Sequence, residues 1–394
     1  MLAIITTHPI QYQVPLWQEM AKAGIQFEVW YLTDFGINVS FDLQFGQSFA
    51  WDLPSLQGYN YRFLKVNKGA APNIGFRGIR LEENLQKLFL EGNIKHIYIN
   101  GWQVQAYWQI IWQAYKANLT IIFKGESNDL KPEKWWFWLI KKQVISLYFS
   151  KINYFLCIGT ANKRLYKKYG INDSKLKDAF YCVDNERFLN SSKMFAVQSK
   201  NTRKLWGIPD NNYCFLFAGQ FIEKKRPLDI INATKLLNNP LIFLIFVGSG
   251  ELYEEIKYAC NVVFDNGKLL SIPNVNNVNA SIIGFLNQTE IPQAYAIADC
   301  LILPSNFNET WGLVVNEAMA CGIPAIVSNQ CGSAEDLALP INKNLVFECG
   351  NIQSLANSMN YVINNKPDEK KILNLISNFT YQSTIKSLQK IIST

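Results

Sequence analysis

Hydrophobic positions along this chain alternate between two rhythms. Short, nearly unbroken runs of aliphatic and aromatic residues are followed by longer stretches in which apolar residues recur every three or four positions. Runs at 2–6, 27–32, 96–99, 120–123, 154–158 and 179–183 predict strands, and 15–23 and 81–90 predict helices between them. A strand that is apolar on both faces must be covered twice. Such strands separated by helices predict a parallel sheet with helices on each side. Residues 62–80, with several glycines and basic side chains, read as an irregular loop.

The rhythm breaks at 189–202, which is polar and aperiodic and predicts a linker between a first domain, 1–188, and a second, 203–375. A short helix at 203–208 ends at Gly207, with Pro209 blocking its continuation. A second βα series follows, with strands at 214–218, 242–247, 281–283, 301–303 and 325–328. Helices at 227–237, 252–260, 291–297 and 313–320 lie between them, and Pro227 suits a first helical position, where a missing N–H costs little. An amphipathic segment, 376–394, is free to pack on either domain. At 394 residues the chain is too long for one core. The expected class is α/β, with two doubly wound domains whose strand ends face a central cleft.

Composition excludes several alternatives. With 49% hydrophobic and 18% charged residues the chain is globular. Its eight cysteines are scattered without a C-x-x-C pair, which fits reduced thiols in the cytoplasm better than a disulfide or zinc framework. Only two histidines, His8 and His96, are present, and no D-x-D occurs, so no metal or other cofactor is expected. The amino terminus opens on a strand-like run with no basic leader, which reads against a signal peptide. No stretch reaches the roughly 18 apolar residues of a membrane span. A net charge of +7 suits phosphorylated substrates or anionic lipid, and no pattern points to nucleic acid.

The candidate chemistry centres on 301–328, a strand, a polar loop, a helix, a Gly-Ile-Pro turn and a second strand. Glu309 and Glu317 stand seven residues apart across the helix start, bracketing Thr310, Trp311 and Gly312. A helix start offers unpaired N–H groups and the positive end of the dipole, a site for phosphate. Eight helical residues rise about 12 Å, enough to set the two carboxylates at opposite ends of a diphosphate. Acidic pairs at this spacing are also common on ordinary helix surfaces. Three further turns fall on the same sheet edge: F-A-G-Q-F-I-E-K-K-R-P with Gly219, Gln220, Lys225 and Arg226, F-V-G-S-G-E-L with Gly248, and S-I-I-G-F-L with Phe285.

The composite N-E-T-W-G-L-V-V-N-E-A-M-A-C-G-I-P-A-I-V-S resembles the E-x7-E signature of the retaining nucleotide-sugar glycosyltransferases of family four, and the preceding loops resemble that family's donor-side loops in the same order. The resemblance is looser in the first domain, at T-H-P-I-Q-Y-Q-V-P-L-W and C-I-G-T-A-N-K-R-L-Y. It implies a GT-B fold of two Rossmann-like domains, with the donor bound mainly by the second. It implies that Glu309 meets donor-sugar hydroxyls, that the backbone from Trp311 through Leu313 to Val314 meets the diphosphate, and that Glu317 accepts from the ribose. Lys225 matches the family's lysine for the leaving diphosphate, and no metal is then required. Two departures stand out. Gln220 replaces an arginine, leaving Arg226 or Lys224 as substitutes, and Asn100 lies where the family commonly carries a histidine near the sugar. His8, after the first strand, is a candidate replacement, though a lone histidine there also serves structurally. Glu126, after another strand, is an acceptor-side candidate or a plain turn carboxylate.

Residues 131–151 set five lysines and one glutamate around Trp135, Trp136, Phe137 and Trp138. Aromatics beside lysines suit a peripheral position on an anionic membrane surface, on the inner face of the cytoplasmic membrane, and a bulky core helix with a lysine rim is the alternative. With membrane contact, the acceptor is a glycan or lipid-linked molecule of surface polysaccharide or glycolipid synthesis. A catalytically silent glycan- or nucleotide-binding subunit and a sugar-nucleotide epimerase are the competing readings.

Overall fold

The computed structural model describes residues 1–37, 40–42, 47–49, 52, 54–72, 74–270 and 278–393. They form two units: Met1–Ser40 with Leu53–Phe180 and Tyr381–Thr394, and Phe41–Asp52 with Tyr181–Thr380.

The first unit is built on strands β1 (Leu2–Thr6), β2 (Phe27–Tyr31), β3 (Tyr61–Phe63), β4 (His96–Asn100), β5 (Thr120–Lys124), β6 (Tyr154–Cys157) and β7 (Leu176–Asp178). All neighbours are parallel, in the order β3-β2-β1-β4-β5-β6-β7. β1 shows why its sequence is apolar throughout. Ala3 and Ile5 join one core with Val104, Tyr107 and Ile110, while Leu2 and Ile4 join another with Leu16, Trp17 and Met20. The second core is completed by Ile385, Leu388 and Ile391 of the Tyr381–Ile392 helix.

The second unit repeats the plan with β8 (Tyr213–Ala218), β9 (Ile242–Val247), β10 (Asn261–Asp265), β11 (Lys268–Leu269), β12 (Asn279–Gly284), β13 (Cys300–Leu303), β14 (Ala325–Ser328) and β15 (Val346–Phe347). The order is β11-β10-β12-β9-β8-β13-β14-β15, with β11 antiparallel at the edge. In both units the strand order reverses at the first strand, β1 or β8, and successive connections leave it on opposite sides. That opens a crevice at the carboxyl ends of β1 and β4, and likewise of β8 and β13.

Four sequence expectations need correction. The strand expected at 179–183 is instead β7, which ends at Asp178; the Ala179 N–H bonded to Cys157 O at 2.8 Å is its last ladder contact. The helix expected at 81–90 begins only at Gln86. Leu81 is held by the Gln109 amide, which accepts from its N–H (2.9 Å) and donates to its C=O (3.2 Å), and Leu81 bridges to Val66. The loop read at 62–80 contributes to β3 and holds a short 3-10 turn, Phe76–Gly78. The stretch 189–202, polar and without evident periodicity, is helical, lying in Asn185–Ala196 and Ser199–Leu205. Asp184 caps the first of these by accepting from Arg187 N–H at 2.9 Å, and Phe188 and Ser192, one turn apart, bury its inner side.

Candidate active site

In the second unit, the loops leaving β8, β9, β12 and β13 meet at the strand-order reversal, and glycines let them touch. Gly248 has φ +135°, and a Cβ there would lie 1.9 Å from Gly219 O. Its N–H donates to Gly284 O at 2.8 Å, and Gly219 N–H donates to Val247 O at 2.9 Å. Phe221 N–H reaches Ser249 O (2.8 Å), and Leu252 N–H returns to Phe221 O (2.9 Å). Side chains are thus excluded and main chain lies against main chain, the geometry that leaves room for a ligand to approach backbone closely. Phe285 follows β12 and is half-buried, as is Gln220, whose C=O accepts from Ile222 N–H at 3.1 Å.

The loop after β8 turns through a 3-10 segment, Glu223–Lys225. Its Lys224 C=O accepts from Asn306 N–H at 2.9 Å, and Asn306 O in turn accepts from Glu309 N–H at 2.9 Å. This ladder carries the loop after β13 against the loop after β8. The Lys225 ammonium donates to Glu309 Oε2, with both side chains mostly buried. Arg226 adopts a left-handed backbone, φ +52°, immediately before Pro227 opens the Pro227–Leu237 helix. Its guanidinium binds Asp229 through Nε (2.6 Å) and Nη2 (3.2 Å), so the cation beside the loop already has a carboxylate partner.

The Leu313–Ala320 helix begins at Gly312, φ +95°, with no side chain capping it. A Cβ on Gly312 would lie 2.3 Å from Leu303 Cδ2, 3.6 Å from Ser333 Oγ and 3.7 Å from Glu309 Cγ. Glu309 therefore stands over the helix start, where Leu313 and Val314 are half-buried and the rest of the helix is covered. The Trp311 ring is core: its Nε1 donates to Asn316 Oδ1 at 2.7 Å, and Asn316 donates to Tyr181 O at 3.1 Å. Only the Trp311 backbone is left for a ligand, and its C=O accepts from Ser333 N–H at 3.2 Å. Glu317 is buried on the same helix and accepts from the Tyr295 hydroxyl at 2.7 Å. Burial raises its carboxyl above the ordinary range, opposed by Tyr295, the Arg187 guanidinium and Gln288.

Sequence reasoning missed the turn after β14. A Cβ on Gly332 would lie 1.9 Å from Thr310 O, so this turn presses on the Thr310–Trp311 main chain. Ser333 Oγ is buried beside Gly312 without a hydrogen-bond partner among the described residues. The signal was a glycine in the loop that follows β14 on the same edge.

In the first unit, His8, Asn100 and Glu126 follow β1, end β4 and follow β5, at that unit's own reversal. The Gln13 side chain links Asn100 and Glu126: its Oε1 accepts from Asn100 Nδ2 (3.0 Å) and Thr6 Oγ1 (3.3 Å), and its Nε2 donates to Glu126 Oε1 (3.4 Å). Tyr12 adds a hydroxyl donor to the same Glu126 oxygen at 2.9 Å. Gln13 and Asn100 are buried, and Asn100 Oδ1 has no partner among the described residues. His8 Nδ1 lies 2.9 Å from Thr7 Oγ1 with Phe35 edge-on to its ring, and burial pulls its imidazole from 6.5 to about 4. His8 is neutral at pH 7. Gln13 is the residue that sequence reasoning overlooked, because its partners lie 87 and 113 positions away.

Among the described residues no group of three or more His, Cys, Asp or Glu is placed to hold a metal ion, and no helix is long and apolar enough to cross a membrane.

Comparison with known proteins finds a likeness over part of the chain. Residues 198–378 match the family model described as Glycosyl transferases group 1. An uncharacterized glycosyltransferase of Methanocaldococcus jannaschii is 28% identical over 148 residues, 37% of this chain and 35% of that protein. The chain spans between about a third and a half of the length of the curated relatives it matches. Among solved structures, Anabaena HepE in complex with UDP and glucose superposes with a TM-score of 0.67 at 16% identity, over 100% of this chain and 99% of that one. The lipopolysaccharide outer core galactosyltransferase WaaB does so with a TM-score of 0.64, also at 16% identity, over 100% and 99%. The fold is GT-B, with two Rossmann-like parallel sheets.

Proposed function

We propose that this chain is a retaining glycosyltransferase of the E-x7-E type, moving a hexosyl group from a nucleotide sugar to a glycan or lipid-linked acceptor in surface polysaccharide or glycolipid synthesis. The observation that carries this reading is the Lys225–Glu309 pair beside an uncapped helix start, at the reversal between β8 and β13. The match over residues 198–378 and the UDP and glucose bound by HepE support a nucleotide-sugar donor.

The roles follow from charge. Glu309 accepts from hydroxyls of the donor sugar. The main chain of Thr310, Trp311, Gly312, Leu313 and Val314 meets the diphosphate, and Gly219, Gln220, Gly248 and Phe285 line its approach. Glu317, kept in place by Tyr295, accepts from the ribose. When the bond between the sugar carbon and the diphosphate oxygen breaks, negative charge develops on the leaving group, and Lys225 moves from Glu309 to stabilise it. The acceptor hydroxyl adds on the face the diphosphate leaves and gives its proton to the departing oxygen. The anomeric configuration is kept, and neither an enzyme nucleophile nor a metal is needed. His8, Asn100 and Glu126 belong to the acceptor side. The place of work is the inner face of the cytoplasmic membrane, with the chain bound peripherally.

The test is incubation of the purified chain with a panel of labelled sugar nucleotides in excess EDTA. The expected result is slow hydrolysis of one donor, with the released sugar keeping its configuration. Lys225→Ala is expected to lower turnover by about 10²–10³-fold. Wild-type rates in that variant, or activity abolished by EDTA, would remove the mechanism. A second reading, a silent nucleotide-binding subunit, draws on Gln220 at the arginine position and on the pairing of Arg226 with Asp229. Binding of a donor with no hydrolysis or transfer across the panel favours it.

A further inference from the structure

The Trp135–Phe149 helix of the first unit presents its outer side in reverse of what a surface helix should. At 3.6 residues per turn, positions 135, 146, 139, 143, 136, 147, 140, 144 and 137 follow one another around a little more than half of the cylinder. Seven of the nine are large and apolar, and all seven are exposed: Trp135 by 75%, Leu147 by 65% and Ile140 by 61%, with Trp136, Phe137, Leu139 and Val144 close to half. Gln143 and the half-buried Ser146 are the polar members. The opposite side, Ile145, Tyr148 and Phe149, is what the unit's core absorbs. An ordinary surface helix turns its polar side outward, and a contiguous apolar patch of this size marks an interaction site.

The rim of the patch is basic. From 131 to 151 the chain carries five lysines and a single carboxylate, Glu133, which is already paired with Lys141 at 2.5 Å. Lys142 and Lys168 lie over the Trp138 ring, 4.7 and 5.4 Å from its centre. The surface continues onto the Gln105–Lys116 helix, which packs on the first through Trp108 and Tyr148, ring centres 4.4 Å apart. There Lys151 lies over Tyr115 (4.1 Å) and Trp112 (5.6 Å), both about half exposed, and Lys116 over Trp112 (5.8 Å). Lys116, Lys142, Lys151 and Lys168 thus hold their ammonium groups over aromatic rings beside an apolar surface, the arrangement that suits a headgroup layer above acyl chains.

We infer that these two helices form a platform that binds an anionic phospholipid bilayer, with Trp135, Trp136, Ile140 and Leu147 entering the acyl boundary and the lysine rim meeting the headgroups. Fifteen helical residues span about 22 Å against a hydrocarbon core of about 30 Å, so the helix lies in the interface plane and does not cross. A second copy of the chain is a poorer occupant, because a face-to-face pair would bring two lysine rims together.

The platform is tested on the full chain with no sugar nucleotide present, so the outcome is independent of the donor reading. Sedimentation with phosphatidylglycerol–phosphatidylcholine vesicles is expected to capture the chain increasingly as the phosphatidylglycerol fraction rises, and pure phosphatidylcholine to capture little. Trp135→Ser/Trp136→Ser/Ile140→Ser should weaken vesicle affinity at least tenfold, and each of Lys141→Gln, Lys142→Gln and Lys151→Gln about fivefold. The melting temperature of the triple variant should hold, since all three residues are exposed. Unchanged sedimentation of a folded triple variant overturns the proposal. So does a wild-type chain that ignores anionic vesicles while sedimentation velocity shows a dimer that the triple variant abolishes.

Discussion

The two units share a central strand order that reverses at the first strand, and they finish it with opposite materials. At the reversal in the second unit the loops are built of glycine, and Gly248, Gly312 and Gly332 each sit where a Cβ would strike a neighbouring main chain or core side chain. At the reversal in the first unit the same space is filled by Gln13, Asn100, Glu126 and Tyr12, joined through their side chains. The difference follows from the partners each edge suits. Backbone N–H groups at a helix start favour an oxyanion, and glycine alone allows the approach. A hydrogen-bonded set of amides, a hydroxyl and a carboxylate presents both donors and acceptors, which suits neutral hydroxyl-bearing ligands. One edge is specified by what is missing, the other by what is present.

The sharpest way to break this contrast is to add a methyl group to each kind of glycine. Gly248→Ala forces a Cβ to 1.9 Å from Gly219 O at φ +135°, so the β8 and β9 loops must part. A loss of about 3 kcal/mol or more is expected, with nucleoside diphosphate binding lost alongside. Gly24→Ala in the first unit also meets a positive φ, +72°, but nothing lies within 4 Å of its Cβ, and about 1 kcal/mol is expected there. Thermal melts of both variants, with and without added nucleoside diphosphates, make the comparison. Equal losses would mean that close approach is not what the Gly248 loop depends on.

The complementary change targets the amide edge. Gln13→Leu removes the acceptor of Asn100 Nδ2 and a donor to Glu126, leaving Asn100 buried with neither end of its amide bonded to Gln13. A buried polar group stripped of its partner costs about 1–3 kcal/mol. Melting should fall by that amount while nucleoside diphosphate affinity in the second unit holds. Loss of nucleotide binding in Gln13→Leu would show that the two edges are not chemically separate.

Much of this was legible in the sequence, and the limits have a physical pattern. The strands β8, β9 and β13 and the helices Pro227–Leu237 and Leu313–Ala320 announce themselves because buried strands are apolar on both faces and Pro227 and Gly312 punctuate helix starts. The glycine loops at the reversal of the second unit were readable because each occupies consecutive residues. What failed was whatever depends on partners far along the chain. The delayed start of the Gln86–Glu91 helix rests on Gln109, and the Asn185–Ala196 helix rests on a cap and two inward residues that local polarity masks. The Lys225–Glu309 pair joins residues 84 positions apart, and nothing in the spacing of either one announces the other. The same is true of the Gln13 network.

The smallest effect concerns charge at the amide edge. Burial lowers the His8 imidazole from 6.5 to about 4, so the folded chain resists a proton that the unfolded chain accepts. Above pH 6.5 both states hold His8 neutral, and it contributes no pH dependence. As pH falls from 6.5 to about 4 the unfolded state takes up the proton first, and stability is lost across that window. Below about 4 both are protonated and the loss levels off. His8→Gln keeps a polar side chain beside Thr7 and removes the titration. The difference in melting temperature between wild type and variant should therefore move in favour of the variant from pH 7 to pH 4.5. A difference that stays constant over that range would mean that the imidazole is solvated in the folded chain, and the edge would then lack the water-poor character that distinguishes a built hydroxyl site from a surface cluster.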